Sequence, residues 1–384
     1  MKRNLLEGFE HAALVIEAEV PLSATCLRTC FHPDRAGVSD QKVREIVAKL
    51  TSRSSDSTFG RAIAGKKDKV AVVGSGPSGL TAAHELVKGG YSTTVFEELP
   101  APGGMLRKSM PGFRLPKKDL EKEIRQLEES GVEIRTNTRI GRDIKFDDLW
   151  RQGYKAVFLA IGAHKSRGLE IEGQDSEGVV DALDLLWKVN TQKKVEIGSN
   201  VGVIGGGNVA VDVARTALRH GAQKATLFYR RSREEMTANP WEILEAEKEG
   251  IEIEFLALPQ RILRKVRGLE LECVRTKLGE PDHTGRRTPL PVEGSEFSTQ
   301  LDSIIVAIGE SPETSFLPKK LEVDEGSRIL VDPLTMETSI KGVFAGGDAV
   351  TGPASVMEAI LAGKRAAHAI IDYLNKTKMK QKEE

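Results

Sequence analysis

The sequence predicts an α/β protein in which one strand–turn–helix–strand unit occurs twice, the second copy inserted into the domain that the first begins. Three observations predict it. Apolar strand patterns alternate with helix patterns from Lys69 onward, two glycine-rich turns each sit between a strand and a helix, and glycine makes up 37 of 384 residues. That is about 10% where about 7% is usual, as several tight turns require.

Residues 1–65 form a short degenerate segment ahead of the main fold, helical near Val43–Leu50 and followed by the polar linker run Thr51–Ser57. The first domain begins over 66–190 with strand Val70–Val73, a helix reaching Lys88, strand Thr93–Phe96, and a helix Asp119–Ser130 whose Leu120, Ile124 and Leu127 share one face. Such alternation predicts a parallel sheet with helices on both sides. Over 191–298 the unit starts again, with strand Val201–Ile204, helix Val209–His220 and strand Ala225–Tyr229. Residues 299–376 are expected to complete the first domain through strands Ile304–Ala307 and Gly342–Ala345 and helix Ser355–Tyr373, and 377–384 is a charged, solvated tail.

Composition narrows the partners. Lysine plus arginine, 56, equals aspartate plus glutamate, 56, so no net field draws the chain to nucleic acid or to an anionic membrane. No apolar stretch approaches the roughly 20 residues that span a bilayer. The three cysteines are too few for a disulfide framework, and free thiols suit the reducing cytoplasm.

The first glycine-rich turn, Gly74-Ser75-Gly76-Pro77-Ser78-Gly79, follows an apolar strand and opens a helix, which is the context of a dinucleotide-binding fingerprint. Gly74 permits the turn, Gly76 lets backbone amides approach a pyrophosphate, and Gly79 lets the helix pack on the strand. The helix start adds partial positive charge beneath the phosphates. Glu97 ends the next strand, 97 − 74 = 23 residues after the first glycine, where a carboxylate accepts ribose hydroxyls.

In the second turn, Gly205-Gly206-Gly207-Asn208-Val209-Ala210, Ala210 replaces the third glycine. No acid ends its second strand. Arg230, Arg231 and Arg233 follow Phe228 and Tyr229 instead, so cations stand where a carboxylate would repel a 2′-phosphate, and the site leans to NADP(H) over NAD(H). The bland alternative is a solvated, arginine-rich loop end.

Six stretches resemble the small subunit of glutamate synthase and its relatives, which include the large subunit of NADH-dependent ferredoxin:NADP oxidoreductase and the amino-terminal part of dihydropyrimidine dehydrogenase. They are GSGPSGL (Gly74–Leu80), PGGML (Pro102–Leu106), FRLPK (Phe113–Lys117), VIGGGNVAVDVARTALR (Val203–Arg219), YRRSREEM (Tyr229–Met236) and VFAGGDAVTGPASVMEAI (Val343–Ile360). The resemblance implies two Rossmann-like domains, FAD in the first and NAD(P)H in the second, with a hydride moving between nicotinamide and flavin. Gly104, Met105 and Leu106 would then lie near the flavin, with Arg114 of the FRLPK stretch. Asp348, after Gly347, would bind the ribityl chain. The helix opening at Ser355 and Val356 would aim its amino end at the flavin pyrimidine. Gly162 and Gly309, in the turns Ala160-Ile161-Gly162-Ala163 and Ala307-Ile308-Gly309, would bring the chain back past each cofactor. No side chain is assigned the chemistry, because the cofactors carry it.

One departure from the family stands out. Many relatives begin with a cysteine-rich domain holding iron–sulfur clusters, and Cys26-Leu27-Arg28-Thr29-Cys30 looks like its remnant, with Asp34 at the next expected cysteine. Two neighbouring cysteines cannot hold a four-iron cluster unless a partner lends ligands. The resemblance therefore implies a separate iron–sulfur or flavin subunit that exchanges electrons with this chain. Two rival readings are a thioredoxin-reductase-like disulfide reductase, which the absence of any CxxC disfavours, and a flavin-holding conduit without turnover of its own.

Overall fold

The computed structural model describes Leu22 and residues 67–282 and 284–383. Cys26, Cys30, Asp34, the helix expected at Val43–Leu50 and the Thr51–Ser57 run lie outside the described residues.

The chain runs through β1 (Lys67–Val73), α1 (Pro77–Lys88), β2 (Tyr91–Phe96), α2 (Met105–Lys108), α3 (Lys117–Glu129), β3 (Glu133–Arg135), α4 (Asp148–Arg151) and β4 (Tyr154–Leu159). It continues with β5 (Lys165–Ser166), β6 (Val179–Asp181), α5 (Ala182–Asn190), β7 (Asn200–Ile204), α6 (Asn208–Arg219), β8 (Lys224–Tyr229), α7 (Pro240–Lys248) and β9 (Glu252–Phe255). A long antiparallel excursion follows, β10 (Ala257–Arg264), β11 (Leu269–Pro281) and β12 (Arg287–Leu301), and then β13 (Ser303–Val306), β14 (Glu310–Ser311), β15 (Val343–Ala345), α8 (Asp348–Thr351) and α9 (Val356–Glu383).

Two compact units result. The first comprises, in its described part, 67–107, 112–165 and 311–383; the second comprises 108–111 and 166–310. The sheet of the first unit has the order β15-β4-β1-β2-β3, with every neighbouring pair parallel. Its central strand is buried on both faces, which is why Val70–Val73 reads as an unbroken apolar run. On one face Ala82, Ala83 and Leu86 of α1 and Ala366, Ala367 and Ile370 of α9 pack against Val70, Val72 and Val95. The other face is covered by Phe146, Leu149, Leu317 and Leu321, from loops and the single turn of α4.

The second sheet repeats this arrangement in the order β6-β13-β7-β8-β9, again parallel throughout. Helices α5, α6 and α7 bury Leu186, Val211, Ala214 and Ile243 against one face. The opposite face receives the β10-β11-β12 sheet, whose Ile262, Leu271, Cys273 and Leu301 meet Ile204, Phe228 and Ile304. Helices on both sides of each sheet were expected; the first sheet has α1 and α9 on one face and, beside loops, the single turns of α4 and α8 on the other, whereas the second has helices on one face and the β10-β11-β12 sheet on the other. A loop layer or a second sheet can present the same apolar contact surface as a helix, so alternation alone does not distinguish them.

Two boundaries also differ from expectation. The strand near Ile304–Ala307 does not complete the first domain, because β13 pairs with β7 in the second sheet, Ser303 beside Val201 and Val306 beside Ile204. With β6 and α5 it extends the second unit to 166–310 in place of 191–298. The tail expected at 377–384 is helical through Glu383 as the end of α9, and Lys378 Nζ lies 2.9 Å from Asp68 Oδ2.

Candidate functional site

In the first unit a cleft opens beyond the carboxyl ends of β1, β2 and β4, on either side of β1 where the strand order reverses and ligands of open α/β sheets bind. Nine of the residues singled out from sequence line it: Gly74, Gly76, Pro77, Ser78, Glu97, Gly104, Met105, Gly162 and Asp348.

Backbone geometry explains two of the glycines. Gly74 has φ +102°, and a Cβ there would lie 2.4 Å from the Ala160 carbonyl oxygen. A Cβ on Gly79 would lie 2.0 Å from the Gly74 carbonyl oxygen, so α1 can sit on the turn only because that position has no side chain. Gly76 differs, since nothing lies within 4 Å of its absent Cβ and the space opens into the cleft.

The start of α1 is left open. Its N-cap, Gly76, gives no side-chain bond, and no acid occupies the first turn. By contrast α5 and α7 are capped by the side chains of Asp181 and Asn239. Amides at an uncapped helix start still need an acceptor, and the helix dipole favours an anionic one. Beside them Ser78 Oγ is buried with no hydrogen-bond partner among the described residues.

Glu97, 5% exposed, is fixed by its neighbours. Its Oε2 accepts from the Ser75 amide at 3.0 Å and from the Ser75 hydroxyl, and its Oε1 accepts from the Leu99 amide at 2.8 Å. Ser75 Oγ in turn accepts from the Gly103 amide at 3.0 Å. One serine thus ties the acid to the PGGML loop, a role that the fingerprint pattern does not mark.

Other expected residues stand apart from the cleft. Leu106 is buried, and its carbonyl accepts from Lys117 Nζ at 2.9 Å. Burial, then the neighbouring Arg107, lowers that ammonium to about 8. Arg114 is half-buried outside the lining, and Gly347 has φ +66° with Ser78 Cβ 2.9 Å from its absent Cβ. Ser355 and Val356 do not reach the cleft either. The Ser355 hydroxyl and amide both donate to Glu358, whose amide donates back to Ser355 Oγ at 3.2 Å, a capping box that closes the start of α9 on itself. Ala359, one turn further on, lines the cleft instead.

In the second unit, α6 also starts uncapped at Gly207 with no acid in its first turn. A Cβ on Gly205 would lie 2.1 Å from the Ala307 carbonyl oxygen, repeating the relation between Gly74 and Ala160. Asn208, Val209 and Ala210 serve the framework: Asn208 Oδ1 accepts from the Asn239 amide at 2.8 Å, while Val209 and Ala210 pack into the helical layer. Gly309, with φ +116°, has nothing within 4 Å of its absent Cβ.

The three arginines separate. Arg231 was expected to face a 2′-phosphate, yet it is 4% exposed. Its Nε donates to the Arg287 carbonyl at 2.7 Å and its Nη2 to Asp282 at 2.8 Å. Arg233 is paired with Glu247 and lies over the Phe255 ring. Only Arg230 of the three is exposed without a carboxylate partner among the described residues.

Residues 68–363 match the family model of the pyridine nucleotide-disulphide oxidoreductases. The chain belongs to that family. Among its relatives, the beta subunit of NADP(+)-dependent formate dehydrogenase from Moorella thermoacetica is 45% identical over 80% of this chain and 44% of that subunit. The putative NADPH glutamate synthase small chain of Cereibacter sphaeroides is 38% identical over 80% of this chain and 78% of its own length. The resemblance to glutamate synthase small subunits therefore holds. The chain spans about half the length of the formate dehydrogenase subunit. Among solved structures, FprA from Mycobacterium tuberculosis in complex with NADPH shares the fold, with a TM-score of 0.67 and 22% identity over 83% of this chain and 86% of that one.

Family patterns did not point to Glu310, which follows Gly309 and is 8% exposed. Burial, then the nearby Asp181 charge, raises its carboxyl to about 7, with Arg167 opposing. An unfolded glutamate ionises near 4.5, so between those values the folded state binds more protons. Stability therefore falls as pH rises from about 4.5 to about 7, by on the order of 3 kcal/mol in all. Glu310→Gln should flatten that fall in denaturant midpoints measured across the range, and an unchanged slope would show that Glu310 does not hold its proton.

Proposed function

We propose that this chain is an FAD-dependent NAD(P)H oxidoreductase subunit of the cytoplasm, with FAD in the first unit and NADPH in the second. The observation that carries it is the first cleft, where a fixed buried carboxylate, an open helix start and a partnerless serine hydroxyl converge. Those groups suit a ribose, a pyrophosphate and a further polar atom of a dinucleotide. Bound there, FAD would accept a hydride equivalent from NADPH and release electrons singly or in pairs.

The protein's own part is placement. The Ser75 and Leu99 amides donate to Glu97 and aim it, leaving acceptor capacity for ribose hydroxyls. Gly76 gives the phosphates close access to the amides of α1, Gly104 packs against Gly76 with Met105 beside it in the lining, and Asp348 faces the same space. In the second unit the start of α6 takes the second pyrophosphate, and Arg230 takes the 2′-phosphate. Gly162 and Gly309 carry the returning turns.

The relatives support a partner. Two are a beta subunit and a small chain of larger enzymes, and among the described residues no histidine, cysteine or carboxylate group is arranged to hold a metal. We infer that electrons pass to or from a separate iron–sulfur or flavin protein. No described helix is long and apolar enough to cross a membrane. Disulfide reduction finds no support in the described residues, because Cys273 is buried in β11 and burial pushes its thiol up to about 12.

The purified chain should release about one FAD on denaturation, since only the first unit pairs the glycine turn with a ribose-binding acid. Two flavins per chain would overturn the assignment of the second unit, and none would overturn that of the first.

A further inference from the structure

In the hairpin joining β11 to β12 the Asp282 amide donates to the Arg286 carbonyl at 2.8 Å, and several bonds fasten the hairpin to the loop after β8. Arg231 reaches from that loop to the Arg287 carbonyl and to Asp282. Thr276 Oγ1 of β11 donates to the Arg230 carbonyl at 2.8 Å, and Arg287 pairs with Glu235 of the loop. Asp282 also closes the turn, its Oδ1 accepting from the Thr284 amide at 2.8 Å and the Arg286 amide at 3.3 Å. The hairpin tip is therefore held against the loop that carries Arg230, close enough for the Arg286 charge to act on Arg230.

Charges around this joint are unequally matched. Arg231 has Asp282, Arg287 has Glu235 and Arg233 has Glu247. Arg230 and Arg286 have no such partner among the described residues. Arg286 Nε donates to Thr284 Oγ1 at 3.0 Å, and its other nitrogens make no bond there. Partial desolvation of the Arg230 guanidinium, then the charges of Arg231 and Arg286, hold it below its usual value, with Tyr229 and Asp282 opposing. Two cations held near enough to repel are relieved by a dianion that both can reach, and two guanidinium forks match the three oxygens of a phosphate monoester.

We propose that Arg286, supplied by the β11–β12 hairpin, and Arg230 form a two-arginine clamp for the 2′-phosphate of NADPH. The hairpin lies outside both glycine-rich turns and sets the choice between NADPH and NADH. This rests on the assignment of the second unit to a nicotinamide nucleotide.

Isothermal titration of the full chain with 2′,5′-ADP and with 5′-ADP separates the possibilities. The parent should bind 2′,5′-ADP more tightly. Arg286→Ala should weaken 2′,5′-ADP by about ten- to a hundredfold and leave 5′-ADP unchanged, which also reports that the unit has folded. Arg286→Lys should recover part of the loss, because it restores charge without the fork. If Arg286→Ala binds 2′,5′-ADP as the parent does while Arg230→Ala does not, Arg230 reads the phosphate alone and the clamp is wrong. Loss of both probes in both Arg286 variants would overturn it too, by making the hairpin a requirement of the fold. A parent indifferent between the two probes would remove the clamp together with the NADP(H) preference, and a parent that binds neither would remove the nucleotide assignment itself.

Discussion

Glu97→Ala should leave the first cleft unable to retain flavin through purification. The loss has two sources. The ribose loses its acceptor, and the Ser75 and Leu99 amides, which now donate to Glu97 at 3.0 and 2.8 Å, are stranded. A buried donor left without a partner costs about 1–3 kcal/mol, so the turn itself loosens around a weakened ligand site. Together these amount to about a hundredfold or more in FAD affinity. Flavin content after gel filtration, and recovery on adding FAD back, measure it. Flavin retained at the parent's level would mean that the acid serves the turn and not the cofactor.

Gly79→Ala should be more damaging still, although it adds a single methyl group. That methyl would lie 2.0 Å from the Gly74 carbonyl oxygen and 3.2 Å from Ala160 Cβ, so α1 must move off the end of β1. Gly363 of α9 holds α1 from the other side, its absent Cβ 2.1 Å from the Ser78 carbonyl oxygen, and blocks that movement. The expected destabilisation is about 3 kcal/mol or more, in the range of overpacked cores. Chemical denaturation of the colourless protein measures it. A shift of less than about 1 kcal/mol would show that the turn relaxes more freely than its contacts imply.

The two dinucleotide folds were legible in the sequence because their signals are local. Each glycine turn lies between an apolar strand and a helix, and each strand is short enough to read whole. The allocation of β13 was not legible from its composition, since Ile304–Ala307 is an apolar run that suits any buried parallel strand. The signal existed elsewhere. Ala160-Ile161-Gly162 passes its alanine carbonyl under Gly74, and Ala307-Ile308-Gly309 does the same under Gly205. The repeat of that tripeptide therefore assigns each returning strand to its own turn.

The arginines illustrate a different limit. Residue type and spacing placed three guanidiniums at the end of β8, but spacing carries no information about which of them the rest of the chain neutralises. Asp282 and Arg287 lie more than fifty residues away, and they convert Arg231 from a ligand candidate into a fastening for the hairpin. Arg286 was invisible for the same reason, since nothing about a polar hairpin tip links it to a distant strand end. Ser355 and Glu358 were legible in principle, because Ser-x-x-Glu at a helix start is a capping box, and that local bond occupies the hydroxyl.

NADPH should reduce a flavin held by this chain. Anaerobic mixing of the purified flavoprotein with NADPH, followed by flavin absorbance in a stopped-flow instrument, tests it directly. Bleaching by about one equivalent of NADPH per flavin, faster than by equal NADH and slowed by deuterium at the transferred position of the nicotinamide, is the result the structure leads us to expect. A flavin that dithionite bleaches but that neither nicotinamide nucleotide reduces would show that this chain does not pass electrons from a nicotinamide to its flavin.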